Sequence, residues 1–218
     1  IIVQEMGKQL EPVQDEIDLI INQIYRIKDI TNNLLQYAKP DAYAGYISEV
    51  DVNETLRETL KLVHHLRSSK SYTTQLDLRA SLRININSQE LKQVLINLIV
   101  NAIQALPEKA GEVHITTTDA ENKVIICIKD NGHGMDKNSV SKAFNPFYTT
   151  KGQGEGTGLG LSISYGLVRR YGGDIKIESQ ENQGTEFILT LYCDPIMMED
   201  EKMIQEQLEE IENQGMVN

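Results

Sequence analysis

Residues 93–106 read QVLINLIVNAIQAL, apolar at all but four positions: Gln93, Asn97, Asn101 and Gln104. With Ser88 ahead and Pro107 behind, this predicts a helix from 88 to 106 that is buried on most of its surface. Asn97 and Asn101 are four residues apart and therefore share one face. Two amides in an apolar stripe are costly to bury unless they have partners. They either bond to neighbouring backbone or meet something polar. A hard cation such as Mg²⁺, taking oxygen ligands beside substrate phosphates, would supply such a partner.

Working outward, Asp51-Val52-Asn53-Glu54 has the capping-box spacing, and Leu56, Leu60, Val63 and Leu66 mark one helical face. Leu76 and Leu78, then Leu82, Ile84 and Ile86, alternate as two strands. Strands around 112–118 and 123–129 follow, and then a glycine-punctuated stretch from 130 to 160. A helix from about 158 to 171 ends at Gly172-Gly173, and strands at 174–179 and 185–192 close the domain. The pattern predicts an α+β fold, with a layer of helices over one largely antiparallel sheet. Ahead of it, Val13, Ile17, Ile20, Ile24, Ile27, Thr31, Leu34 and Ala38 keep a coiled-coil or bundle period. Pro12 suits the first turn of that helix, and Ile1 to Gly7 read as the end of a preceding one. Residues 1–44 are expected to form part of a helical hairpin, 45–193 the main domain, and 194–218 an acidic, helical tail.

Composition narrows the function classes. The 218 residues carry 21 Lys+Arg against 32 Asp+Glu, a net charge of −11, and no basic cluster, which argues against nucleic acid. Eight acids against Lys202 place −7 of that charge in residues 194–218, so the main domain is nearly balanced. Apolar runs are a few residues long, far below the ~20 that span a bilayer, and no membrane contact is expected. The chain starts at Ile1 with no charged-then-apolar leader and reads as a piece of something longer. Cys127 and Cys193 lie in apolar alternating runs and are read as small buried hydrophobes. Reduced thiols imply a cytoplasmic setting.

Three further clusters carry chemistry. Asp130-Asn131-Gly132-His133-Gly134-Met135 follows a strand, where glycines allow close approach of a ligand and Asp130 offers an acceptor for an amino group on a base. Alone, the stretch reads equally well as an Asn-Gly turn, with His133 a loop residue. Phe144-Asn145-Pro146-Phe147-Tyr148-Thr149-Thr150-Lys151 joins aromatic anchors to a cation, which suits a lid over phosphate. Gly154-Glu155-Gly156-Thr157-Gly158-Leu159-Gly160-Leu161 runs into a helix, and bare amides there form an anion site. Its spacing fits neither the dinucleotide fingerprint nor a Walker loop.

The order NLIVNAIQA, DNGHGM, FNPFYTTK, GEGTGLGLSISYGLVRRYGG closely resembles the ATP-binding domain of two-component sensor histidine kinases, of the GHKL (Bergerat) class and the nitrogen-regulator-like subgroup. Gly184-Thr185-Glu186-Phe187 matches a further short motif, and EIDLIINQIYRIKDITNNLLQYAKP resembles the second helix of the dimerisation hairpin. The resemblance implies a two-layer sandwich of about five strands under about three helices, preceded by a long coiled-coil-type helix. It implies that Asn101 binds Mg²⁺ and that Asn97 lies beside metal and phosphates. Asp130 would accept from the adenine amine, Gly132 and Gly134 would shape the pocket, and Met135 would pack near the ring. Lys151 would meet the phosphates, and Gly156, Thr157, Gly158, Leu159 and Gly160 would wrap them. A response regulator and a homodimer through the hairpin are the implied partners.

Two departures matter. Gln104 stands where many relatives have lysine, which shifts phosphate charge onto Lys151. None of His64, His65, His114 and His133 has the acid that follows the family's phosphoacceptor, so that nucleophile is expected elsewhere. Hydrolysing GHKL ATPases carry a glutamate in the position of Asn97, and an amide cannot activate water as that carboxylate does. A nucleotide-binding protein-interaction module is the remaining alternative.

Overall fold

The computed structural model describes residues 46–66, 72–151 and 156–194. The expected hairpin of 1–44 and all of the acidic tail beyond Asp194 lie outside them. In chain order the elements are β1 (Ser48–Asp51), α1 (Val52–Leu66), β2 (Tyr72–Leu78), β3 (Arg83–Ile86), α2 (Ser88–Ala105) and β4 (Gly111–Ala120). They continue with β5 (Lys123–Asp130), α3 (Lys137–Lys142), α4 (Gly160–Arg170), β6 (Asp174–Ser179) and β7 (Thr185–Tyr192).

Helix α2 begins because Asn87 caps it, its side-chain oxygen accepting from Gln89 N–H (2.9 Å) and Glu90 N–H (3.1 Å). It ends because Leu106, the residue before Pro107, is forced into extended geometry. Between these stops Leu91, Val94, Leu95, Leu98, Ile99, Ala102 and Ile103 are buried. Asp51 caps α1 by accepting from Glu54 N–H at 3.0 Å, and Leu56 and Val63 carry its buried face. Helix α2 packs between α1 and α4 and against β5, while α4 rests beside β6.

The main sheet has the order β2-β4-β5-β7-β6, with β2 and β4 parallel and the other neighbours antiparallel. One face is the core side, made by Val113 and Ile115, Val124, Ile126 and Ile128, Ile175, and Phe187, Leu189 and Leu191. This strict alternation is what a sheet covered on one face requires. The α+β expectation holds, with three long helices over five strands.

Four points of the sequence reading need correction. Strands β2 and β3 are consecutive, yet β3 leaves the main sheet and pairs with β1 in a separate two-stranded sheet. The connection is pulled aside by Asp119, which accepts from Ser81 N–H (2.8 Å), Ser81 Oγ (2.6 Å) and Leu82 N–H (3.2 Å). Thr117 Oγ1 takes Ala80 N–H at 3.1 Å, and Asn53 Nδ2 donates to Ala80 O at 2.7 Å. The glycine-punctuated stretch also contains a short helix, α3, and β1 was not anticipated. Finally, Cys127 and Cys193 are half-buried rather than core residues. Cys127 pairs with Ile188 across β5 and β7, out of phase with the core-facing residues on either side of it.

Across the helix layer, Glu90 of α2 accepts from the Arg170 guanidinium and from Tyr171 Oη (2.6 Å), whose oxygen accepts Asn87 N–H (3.3 Å). The Glu90 and Arg170 side chains are 11% and 12% exposed. Removing one partner from a pair this buried costs about 3 kcal/mol. The clamp therefore fixes the start of α2 against the end of α4, and with it the relative position of the residues between.

Candidate active site

Strand β5 ends in Asp130, which is 3% exposed. Its Oδ1 accepts from Gly132 N–H (2.8 Å) and Thr185 N–H (3.3 Å). Its Oδ2 is buried and has no hydrogen-bond partner among the described residues. Burial pushes the carboxyl above the ordinary aspartate range, partly offset by those two amides and the nearby His133. The β6–β7 turn lies directly against it. Gly184 has φ +84°, and a Cβ there would fall 1.9 Å from the Asp130 carbonyl oxygen.

The loop after Asp130 is more than an Asn-Gly turn. His133 N–H donates to Ala105 O at the end of α2 (3.1 Å), Asn182 N–H to His133 O (2.7 Å), and Met135 N–H to Ser179 Oγ (2.8 Å). Asn131 is spent on structure: its Oδ1 accepts from Glu112 N–H (2.8 Å) and its Nδ2 donates to Ala110 O (2.9 Å). Gly132, Gly134 and Met135 are thus held between α2 and the β6–β7 turn.

The two asparagines of α2 find side-chain partners. Asn97 Nδ2 donates to Ser164 Oγ of α4 (2.8 Å), and Asn97 Oδ1 accepts from Asn101 Nδ2 (3.4 Å). Asn101 Oδ1 accepts from Lys151 Nζ (3.1 Å), which also donates to Gln104 Oε1. Helix α4 comes this close because residue 160 is glycine: a Cβ there would lie 2.3 Å from Asn97 Oδ1. Leu159 is buried and gives α4 no side-chain cap, and Thr157 Oγ1 accepts from Leu159 N–H at 3.3 Å. Gly156, Thr157 and Gly158 are half-buried just ahead of the helix, where first-turn amides suit an anion.

A cleft of about 810 Å³ opens between these parts, lined by Gly134, Met135 and Lys151 from the residues expected, and by Gln104, His133 and Thr150. Asp136, Ser139, Glu181 and Asn182 also line it and were not anticipated. Asp136 caps α3 by accepting from Ser139 N–H (2.7 Å), a signal legible in its spacing from Ser139. Glu181 and Asn182 belong to the β6–β7 turn and carry no motif. Asn97, Asn101, Asp130, Gly132, Gly156, Thr157, Gly158, Leu159 and Gly160 do not line the cleft; Asn101 bonds to Lys151, which does. The aromatic stretch is tethered by Tyr148 Oη to Ser139 Oγ (3.0 Å) and by Phe144 against Tyr165, ring centroids 4.7 Å apart.

Chemically, the arrangement offers a buried acceptor, an anion-binding helix start, one ammonium and an amide oxygen. Asn101 must present oxygen to Lys151, since an ammonium only donates. An amide oxygen is also the kind of hard ligand that Mg²⁺ would accept. Among the described residues no group of three His, Cys, Asp or Glu could hold a metal by itself.

The family described as histidine kinase-, DNA gyrase B-, and HSP90-like ATPase matches residues 86–195. Sporulation kinase E of Bacillus subtilis (strain 168) is 35% identical over 176 residues, 80% of this chain and 23% of that protein. The signal transduction histidine-protein kinase AtoS of Escherichia coli (strain K12) is 33% identical over 189 residues, 85% of this chain and 30% of that protein. The chain therefore spans less than a third of either relative. The nucleotide-free catalytic domain of histidine kinase ThkA is 34% identical with a TM-score of 0.61, covering 68% of this chain and 97% of that one. ThkA in complex with response regulator protein TrrA is 30% identical with a TM-score of 0.66, covering 81% of this chain and 50% of that one.

Asp130 makes a checkable pH dependence. Its folded value is raised, so the stability gained by protonating it is full below the unfolded value near 3.8 and is lost as pH rises through the folded one. The stability of Asp130→Asn relative to the unsubstituted chain should therefore increase between pH 4 and 7, measured by urea unfolding without nucleotide. A difference independent of pH would contradict the assignment.

Proposed function

The chain belongs to the histidine kinase-, DNA gyrase B- and HSP90-like ATPase family, and we propose that it is the ATP-binding catalytic part of a sensor histidine kinase. The observation that carries this reading is Asp130: one carboxylate oxygen takes two backbone amides, and the other is buried with no partner among the described residues. A group buried at that cost suits a ligand donor, and the 6-amino group of adenine is one.

In this reading Gly132, Gly134 and Met135 border the base. The phosphates run toward Lys151 and the amides of Gly156, Thr157, Gly158, Leu159 and Gly160. Asn101 offers its oxygen to Mg²⁺, with Asn97 beside it; bound there, the ion would neutralise charge on the triphosphate. An imidazole nitrogen forms a bond to the γ-phosphorus as the bond to the ADP oxygen breaks, so the chain's own task is positioning and charge stabilisation. Asn97 provides no base for water, which favours transfer over hydrolysis. The phosphoacceptor is a histidine outside these residues, and a response-regulator aspartate then receives the group. A cytoplasmic setting, a homodimer through residues 1–44 and a place in the nitrogen-regulator-like subgroup complete the reading.

Two experiments test it. Mg-ATP should bind the unsubstituted chain, and Asp130→Asn should lower ATP affinity about tenfold or more while improving GTP, whose O6 accepts where adenine donates. Equal loss of both nucleotides, or none, would contradict the adenine assignment. With γ-labelled ATP, acid-labile label should appear on the full-length protein and not on this chain alone. Label on any of the chain's four histidines would overturn the division of roles.

A further inference from the structure

The hydrogen bonds that join α4, α2 and Lys151 form a ladder with a fixed direction. At the cleft end, the Lys151 ammonium can only donate, so Asn101 Oδ1 (3.1 Å) and Gln104 Oε1 must both face it. With its oxygen committed, Asn101 has only Nδ2 to offer inward, and Asn97 Oδ1 receives it at 3.4 Å. Asn97 is then left with Nδ2 on its far side, which donates to Ser164 Oγ at 2.8 Å. Ser164 is 1% exposed, so its hydroxyl is shielded from solvent, while Asn97 is half-buried.

Gly160 and Ser164 are one turn apart on α4 and meet the same amide of α2. Gly160 leaves just enough room for Asn97 Oδ1, and Ser164 satisfies Asn97 Nδ2. Turning the Asn97 amide over would set its NH₂ against that of Asn101 and force Asn101 in turn to face Lys151 with nitrogen. Lys151 thus sets the direction of the ladder, and the Ser164 hydroxyl, which can donate as well as accept, anchors its far end to α4.

We infer that Ser164 is a positioning residue for the cation site, anchoring Asn97 and, through it, Asn101. The inference rests on Asn101 being the cation ligand in the function proposed above. Lys151 and the cation use the same oxygen. A Mg²⁺ ion held by Asn101 would need the oxygen that Lys151 now meets, leaving the ammonium for the phosphates, while Ser164 keeps Asn97 anchored behind Asn101.

The test uses Ser164→Ala, which removes the acceptor without adding bulk. Binding of ATP is followed over a Mg²⁺ titration and again in chelator. The half-saturating Mg²⁺ concentration should rise about five- to tenfold, and metal-free ATP affinity should stay within about twofold, since Asp130 is untouched. An unmoved Mg²⁺ midpoint overturns the inference, as does an equal loss without metal, the signature of general loosening. A chain that binds no ATP fails the function proposed above. One that binds ATP indifferently to Mg²⁺ keeps the adenine site and overturns this inference. Should the variant not fold, the side-chain amide of Asn97 decides by NMR: slow proton exchange is expected, and fast exchange contradicts the bond to Ser164.

Discussion

Helix α2 is buried by Leu91, Val94, Leu95, Leu98, Ile99, Ala102 and Ile103, and within that apolar surface it carries Asn97 and Asn101. Both amides are half-buried, and an amide turned partly from water loses hydrogen bonds unless its neighbours supply polar atoms at those two points. Helix α4 meets one with Ser164, and Lys151 meets the other. Satisfying these amides brings the N-terminus of α4 to Asn97 and brings the lysine to the same helix face. The proposed phosphate end of the site is thus tied to how a nearly all-apolar helix is packed.

The other end shows the opposite strategy. Asp130 is buried with one oxygen satisfied and the other unpartnered among the described residues, which costs stability in the free chain. Local costs of this kind concentrate where a protein binds or reacts. Around it the loop is sewn to Ala105 at the end of α2, and the Gly184 turn lies on its backbone. The clamp of Glu90, Arg170 and Tyr171 sets the start of α2 against the end of α4. The two ends of the site are therefore positioned by the same helix.

Much of this was legible beforehand, for identifiable reasons. The spacing of Asn97 and Asn101 in an apolar run announced a polar pair on one helix face, and the glycines around Asp130 announced the close backbone approach seen at Gly132 and Gly184. The α+β class followed from alternation in β4, β5, β6 and β7. What stayed hidden depends on contacts distant in sequence. Nothing local in Ser164 distinguishes it from Ser162, since its role comes from Asn97, 67 residues away. The departure of β3 from the main sheet depends on Asp119 gripping Ser81, 38 residues away. Alternation correctly put Cys127 in a strand, but period alone does not say which face is covered. Glu181 and Asn182 reach the cleft only because their turn folds back over His133.

The most direct test of the central claim is a crystal structure with Mg²⁺ and a non-hydrolysable ATP analogue. The adenine 6-amino group should lie roughly 3 Å from Asp130 Oδ2, with the cation on Asn101 Oδ1 and Lys151 shifted from that oxygen to the phosphates. A base remote from Asp130, or a cation held without Asn101, would contradict it.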